Sequence, residues 1–136
     1  MQDPFVGTWK LNIEKSEFDV NHHPTAGTLV FEVDAQGGYL MTARGRNEKG
    51  EEVAERPMKL IPDGKEYPVP DFPGLKTMAA RPDPNTLTAE ATREDGSVVG
   101  GATHVVSADG KSLTATNFGW DSQLRQFKQR TVWDRQ

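Results

Sequence analysis

The sequence predicts an all-β domain, a closed antiparallel up-and-down β-barrel with little or no helix. No window of a dozen residues keeps apolar side chains at the helical spacing i, i+3, i+4 and i+7. The 13 Gly and 9 Pro are spread along the chain, which breaks up any long helix. Short alternating runs recur instead, separated by turn sequences about every ten residues, the spacing of β-sandwiches and β-barrels.

Nine runs have the alternation and composition of strands. Pro57 interrupts the fourth run, because proline marks an edge or a bulge in a sheet. In order, the predicted strands are Phe5–Ile13, Thr28–Asp34, Tyr39–Arg44, Val53–Ile61, Leu75–Ala80, Thr86–Glu94, Ser97–Ser107, Leu113–Trp120 and Phe127–Arg135.

The connections between the runs predict a meander of hairpins. Asp95-Gly96 is the strongest signal, because this pair tolerates the positive φ angles of a type I′ turn. Gly100-Gly101 predicts a bulge or bend. The three prolines of Tyr67–Gly74 predict a stretch without regular ladder hydrogen bonds. A meander has two free edges unless it closes, so we expect the aromatic-rich first and last runs to pair. A two-sheet sandwich is the second choice.

Composition bounds the function. At 136 residues the chain, 1–136, predicts a single domain. A net charge of −4 argues against a nucleic-acid partner, and the apolar stretches are too short for a membrane span. The absence of cysteine excludes disulfides, thiolate nucleophiles and Fe–S clusters. No signal peptide is visible at the start of the sequence, and the compartment stays open.

The two ends of the chain resemble a known superfamily. Phe5-Val6-Gly7-Thr8-Trp9-Lys10-Leu11 resembles the first strand of the lipocalin and fatty-acid-binding-protein (calycin) superfamily, whose hallmark is Gly-x-Trp. Arg130–Arg135 resembles the closing strand of intracellular fatty-acid-binding proteins. The whole chain resembles small bacterial lipocalin-like proteins of unassigned function, which are typically exported. The resemblance implies a barrel with an internal ligand, and a periplasmic or secreted location.

The chain also departs from that pattern. Fatty-acid-binding proteins carry a helix–turn–helix lid after the first strand, and Asn12–Gly27 is too short for one. Their carboxylate anchor is an Arg-x-Tyr pair on the last strand, and here those positions hold Thr131 and Trp133. A fatty-acid function therefore does not carry over. The resemblance does imply that Trp9 plugs one barrel end beneath an arginine, Arg135 or less favourably Arg130.

Alternation from Trp9 predicts which side chains face inward. Four of them, Ala43, Ala89, Ala91 and Ala115, are small enough to leave a void in an eight-stranded barrel. His104 faces inward only if its strand keeps Ala102 and Val106 inside. The pocket candidates are Tyr39, Met41, Met58, Arg93, His104, Asn117, Gln129, Thr131 and Trp133. We expect the entrance at the end away from Trp9, beside Tyr67–Gly74, with Phe72 as a lid.

These patterns favour a binding or carrier protein for a small apolar or weakly polar ligand, as a monomer or weak homodimer. We expect no cofactor and no metal, because the adjacent His22 and His23 would point to opposite faces. Haem bound through His104 remains an outside alternative. No catalytic motif is present, so we do not expect an enzyme.

Two alternatives remain open at this level. A filled barrel could act as an interaction module through outward apolar residues, Leu40, Val99 and Val105. A small enzyme on the same barrel would need a cluster of Tyr39, Arg93 and His104.

Overall fold

The computed structural model describes residues 3–18, 24–35, 37–54, 57–69, 73–120 and 126–136. These residues form strands and turns, and no helix among them is long and apolar enough to cross a membrane. The strands are β1 (Gly7–Glu17), β2 (Ala26–Val33), β3 (Tyr39–Arg46), β4 (Glu52–Ala54), β5 (Met58–Leu60), β6 (Glu66–Pro68), β7 (Leu75–Asp83), β8 (Thr86–Arg93), β9 (Val98–Val106), β10 (Ser112–Trp120) and β11 (Gln126–Arg135).

All strands belong to one antiparallel sheet in the order β4-β3-β2-β1-β11-β10-β9-β8-β7-β6. β5 also pairs with β3, along the part of β3 that β4 does not cover. The two short strands therefore both lie next to β3 on the same side. The register on β3 shifts by one residue between these two pairings. The fold is the predicted all-β, antiparallel, up-and-down arrangement.

The first and last strands pair in the middle of the sheet. Trp9 lies opposite Arg135, and Leu11 lies opposite Trp133. This is the predicted seam. The edges of the sheet are β4 with β5 on one side and β6 on the other, and no ladder joins β5 to β6 in the described residues.

The structure corrects three predicted boundaries. The strand predicted over Val53–Ile61 is two segments, β4 and β5, which pair with β3 in different registers. The stretch predicted to lack ladder bonds, Tyr67–Gly74, contains the end of β6, which pairs with β7. Pro68 is tolerated there because an edge strand has one side without ladder partners. Phe5 precedes β1, which extends to Glu17 rather than ending at Ile13.

Alternation places one face of the sheet inside, and its core lies near Trp9. Trp9 of β1 lies on this face beside Leu29 of β2. Leu113 of β10 lies on the same face, on the other side of β11. Phe5, from the segment before β1, is fully buried among them. The buried cluster consists of Phe5, Trp9, Leu29, Phe31, Tyr39, Leu60, Ala79, Leu87, Val106 and Leu113.

Aromatic contacts show how far the sheet curls. The Phe31 ring on β2 lies 5.8 Å from the His104 ring on β9, centroid to centroid, at an interplanar angle of 82°. These strands are separated by β1, β11 and β10 in the sheet. Phe31 also contacts Phe5 and Tyr39 at centroid distances of 5.8 and 6.1 Å. Rings carried by β2, β3 and β9 therefore meet across the interior of the barrel.

The predicted bend at Gly100-Gly101 is confirmed. The register of β8 against β9 shifts between Ala91 and Thr92, so that Val99 is an extra residue beside Gly100. A Cβ on Gly101 would lie 2.8 Å from the Phe118 ring and 3.0 Å from the Ala89 carbonyl oxygen. The glycine thus permits close packing where the strand bends.

The two valines that end β9 test the inside and outside assignment. Val106 is 2% exposed and its neighbour Val105 is 40% exposed. Val106→Ala removes buried methyl groups and leaves a cavity, so we expect the free energy of unfolding to fall by about 2 kcal/mol. Val105→Ala should change it by about 0.5 kcal/mol or less. Urea denaturation of both variants measures the difference, and equal losses would contradict the assignment.

Candidate ligand-binding site

One end of the barrel is closed by Arg135. Its guanidinium carbon lies 4.1 Å from the centre of the Trp9 ring. The same group donates hydrogen bonds to the carbonyl oxygens of Pro4, Val6 (2.9 Å) and Gly110 (2.7 Å). The stacked contact is a cation–π interaction. The structure thus places Arg135 over Trp9, while Arg130 is exposed.

Gly7 explains why a glycine precedes the tryptophan in this strand. Its φ is 138°, and a Cβ on it would lie 2.7 Å from the Arg135 Nη1 atom. A side chain at this position would be strained and would displace the guanidinium from Trp9. Gly7 and Trp9 therefore act together in closing this end.

A second arginine lies under the same end. Arg81 donates a hydrogen bond to the Tyr39 hydroxyl at 2.8 Å and pairs with the Asp3 carboxylate at 3.2 Å. The Tyr39 hydroxyl also donates a hydrogen bond to Asp3. Burial raises the pKa of Tyr39, and Asp3 raises it further, while Arg81 opposes them. The Tyr39 hydroxyl is therefore engaged with protein groups rather than free for a ligand.

The inner face changes character away from Trp9. Cross-strand partners form rows on this face. One row begins at Gln129 on β11 and continues through Asn117, Ala102, Ala89 and Ala79 on β10, β9, β8 and β7. The next row runs from Phe127 through Gly119, Gly100, Ala91 and Thr77. Small side chains thus line β7 to β10 in this half, which we call the far half.

On the other side of the seam, Gly27 and Gly45 lie opposite each other on β2 and β3. An open cavity of about 390 Å³ borders both glycines, but its other lining residues, Ala26, Thr28, Arg44, Arg46 and Glu52, have the outward parity, so this cavity opens on the outer face of the sheet. Hydropathy patterns carry no signal for these inward glycines, or for Gly100 and Gly119. In the sequence, only the inward alanines indicated that small side chains line this face.

Away from the closed end, where Arg81 Nε is also unpartnered, three polar side chains on this inner face have buried atoms without a hydrogen-bond partner among the described residues. They are His104 through Nδ1, Asn117 through Oδ1 and Gln129 through Oε1. His104 itself is 5% exposed. Asn117 lies directly opposite Gln129, and His104 lies opposite Ala115, the inward neighbour of Asn117 on β10. We call these three residues the polar patch.

The histidine of the polar patch is neutral. Burial lowers the pKa of His104 from 6.5 to about 4, and a hydrogen bond to the Leu87 backbone only partly opposes this. Since Nδ1 has no partner, the bond to Leu87 uses Nε2. Desolvation dominates the pKa of His104, because no acidic side chain among the described residues stabilises the imidazolium form.

Two further candidates, Thr131 and Trp133, lie beside the polar patch and are partnered within the protein. The Trp133 Nε1 atom donates to the Thr131 hydroxyl at 2.9 Å. That hydroxyl is 3.4 Å from the Ala115 carbonyl oxygen. The Trp133 ring also covers Gly27, where an added Cβ would lie 3.1 Å from it. Their polar atoms are thus already engaged.

Two candidates lie at the rim rather than inside. Met58 shares the inner face with Met41 but is 46% exposed, because β5 is a short edge strand with no neighbour on its other side in the described residues. Arg93 is exposed at the last residue of β8. Met41 is half-buried. Alternation predicts the face of a residue but not its depth in the barrel.

The proposed catalytic cluster of Tyr39, Arg93 and His104 is not assembled. Tyr39 is bonded to Asp3 and Arg81 at the closed end, and Arg93 is exposed at the other end of the sheet. The described residues contain no group of acidic and histidine side chains arranged for a metal. His22, His23 and Phe72 lie outside the described residues.

Buried His104 predicts a pH-dependent stability. The unfolded chain binds the His104 proton near pH 6.5, but the folded chain binds it only near pH 4. Between these values the unfolded state holds more protons, so stability falls as pH falls through this window, by about 3 kcal/mol. Urea titrations measure the loss. In His104→Gln, which does not titrate, we expect the loss to be smaller by that amount, and an unchanged profile would contradict the burial.

Several solved structures share this fold. A mutant of the fluorescent protein UnaG superposes with a TM-score of 0.61 at 14% identity, covering 99% of this chain and 98% of its own. Zebrafish ileal bile acid-binding protein, complexed with cholic acid, gives 0.57 at 12% identity over 98% and 99% of the two chains. Rv2717c from M. tuberculosis gives 0.57 at 14% identity over 98% and 93%.

Sequence comparison adds nothing to this likeness, since no family profile and no curated protein sequence matches the chain. The similarity to the solved barrels spans almost the whole chain at low identity. The protein therefore has the fold of the calycin-like, fatty-acid-binding-protein type of β-barrel that its first and last strands resemble.

Proposed function

We propose that this protein binds a small apolar or weakly polar molecule inside the far half of the barrel. The observation that carries this proposal is the polar patch, whose His104, Asn117 and Gln129 each keep a buried atom without a partner. Such an atom costs about 1–3 kcal/mol when it stays unpaired. A bound molecule that supplies the missing hydrogen bonds removes that cost.

The lining of the far half supports room for such a molecule. Ala102, Ala89 and Ala79 continue the row of the polar patch, and Gly119 and Gly100 lie in the next row. A small barrel is either filled by its side chains or holds one small ligand. Large side chains fill the half near Trp9, which is why the proposal puts the ligand beside the polar patch.

The route into the barrel is proposed at the end away from Trp9. The connection from β6 to β7 lies there, because Leu75 pairs with Arg93 while Asp83 pairs with Thr86 near the closed end. The unpaired edge of β6 adjoins this connection along the chain, and β5, whose outer edge is also unpaired in the described residues, precedes β6. A ligand can pass there without breaking ladder hydrogen bonds between described strands.

The fold neighbours point the same way. One is a bile acid-binding protein complexed with cholic acid, and another is an extracellular fatty acid binding protein, As-p18. Binding inside the barrel, without catalysis, is therefore the use of this fold that we extend to the present chain.

An outer-surface partner is less well supported. Val105 is exposed on the outer face, but Leu40 and Val99 are half-buried in the sheet. Together they make no continuous apolar patch of the kind that marks interfaces. We propose a monomer or weak homodimer, and light scattering after size-exclusion chromatography measures it.

Nile red, a neutral dye that fluoresces in apolar surroundings, tests the proposal directly. We expect saturable binding with one dye per chain, and native mass spectrometry should show the same stoichiometry. Any molecule that copurifies would appear as extra mass lost on denaturation. A protein that is empty and also fails to bind the dye would overturn the proposal.

Filling the far half should block binding. Ala102 is on the inner face and its neighbour Thr103 is on the outer face. We expect Ala102→Phe to weaken Nile red binding by roughly ten-fold or more, equivalent to about 1.4 kcal/mol, because the ring occupies the space beside Asn117. Thr103→Phe is the matched control and should bind as the unmodified protein does. Urea denaturation verifies that both variants fold, and equal binding by both would place the dye elsewhere.

A further inference from the structure

We infer that the ligand of this barrel is an uncharged molecule presenting N–H or O–H donors, and that the site discriminates against carboxylates. The inference rests on the proposed function and assigns the chemistry of its ligand. It follows from the hydrogen-bond acceptors of the polar patch. It also follows from the inner-face arginines, Arg81 and Arg135, which already contact other protein groups.

The first acceptor is the free nitrogen of His104. A neutral imidazole has one N–H and one bare nitrogen. The hydrogen bond to the Leu87 backbone uses the protonated nitrogen, and Nδ1 is left buried and unpartnered. Nδ1 therefore accepts a hydrogen bond from a ligand and has no proton to donate to one.

The other two acceptors are amide oxygens. Asn117 Oδ1 and Gln129 Oε1 are both buried without a partner, and their residues are paired across β10 and β11. Inward side chains that are directly opposite lie about 5 Å apart at Cβ, and diagonal ones about 7–8 Å. His104 is on such a diagonal from Asn117. The three acceptors thus lie within reach of one small molecule.

No cation stands ready to meet a carboxylate at this patch in the described part of the chain. Arg81 pairs with Asp3 and Arg135 is held by backbone carbonyls over Trp9. Arg93 and Lys128 are exposed. A carboxylate accepts hydrogen bonds but donates none, so it would leave all three acceptor atoms unpaired, even where the amide N–H groups of Asn117 and Gln129 reach it, while losing its hydration. A neutral donor would satisfy the same atoms.

Three compounds with one hydrocarbon chain separate these chemistries. Decanamide carries two N–H donors and no charge, methyl decanoate carries neither donor nor charge, and decanoate carries a charge and no donor. Each competes with Nile red at neutral pH, and the loss of dye fluorescence gives its Kd. We expect decanamide to bind roughly ten-fold tighter than methyl decanoate, and decanoate to bind most weakly.

A variant assigns the preference to the polar patch. Asn117→Leu with Gln129→Leu removes two acceptors, so we expect the decanamide and methyl decanoate affinities to become equal while Nile red still binds. Thr116→Val, on the outer face next to Asn117, is the control and should keep the preference. The compound series on the unmodified protein decides the inference even if the double variant does not fold.

The outcomes separate the two proposals. Decanoate binding as tightly as decanamide, or tighter, would overturn the inference and leave internal binding of a ligand intact. Equal binding of decanamide and methyl decanoate by the unmodified protein would also overturn it. If Nile red does not bind, and native mass spectrometry detects no complex with any of the three compounds, the proposed function itself is overturned.

Discussion

The structure depends on the position of one side chain, Arg135. Its guanidinium stacks on Trp9 and bonds to the carbonyls of Pro4, Val6 and Gly110. It therefore joins the last strand to the first strand, to the segment before it and to the β9–β10 turn. Hydrogen bonds from a charged group are roughly twice as strong as neutral ones, and these are partly buried. The seam of β1 and β11, which joins the two halves of the sheet, is held at its Trp9 end by this residue.

From that end the barrel divides into a packed half and a small-lined half. Rings and long aliphatic side chains meet across the interior near Trp9, whereas alanines and glycines line the far half. The packed half stabilises the fold by burial of apolar surface. The other half keeps polar atoms buried and unpaired, which lowers stability. This division suits the proposed binding, since the packed half would support the half in which we propose that a ligand is held.

Much of the fold could be predicted from the sequence because alternation in a strand is a local property. Trp9, Leu113 and His104 lie on the predicted face, and the β1–β11 pairing follows from the need to cover a sheet edge. The exposure of Met58 and Arg93 could not be predicted, since it depends on which strand has no neighbour and where a strand ends. The pairing of Arg81 with Asp3 was also missed. It joins residues 78 positions apart that no local pattern connects.

The inward face of several candidate residues could be predicted for the same reason, although the site itself stays a prediction. Asn117, Gln129 and His104 were identified by their parity, but parity does not say which polar atoms find partners. Thr131 and Trp133 have the same parity and bond to each other. The inward glycines carried no apolar signal. Partner choice depends on side-chain geometry across strands, which alternation does not contain.

The pairing of β1 with β11 also has a consequence for how the chain folds. Leu11 and Trp133 are adjacent in the sheet yet lie near opposite ends of the sequence. The hairpins of the meander close short loops, but this seam closes a loop of nearly the whole chain, and its entropic cost falls on a late step. During synthesis, β1 waits with one edge unpaired until Trp133–Arg135 have left the ribosome. The barrel is thus completed only once β11 has emerged, and until then the unpaired edge of β1 is open to wrong pairing.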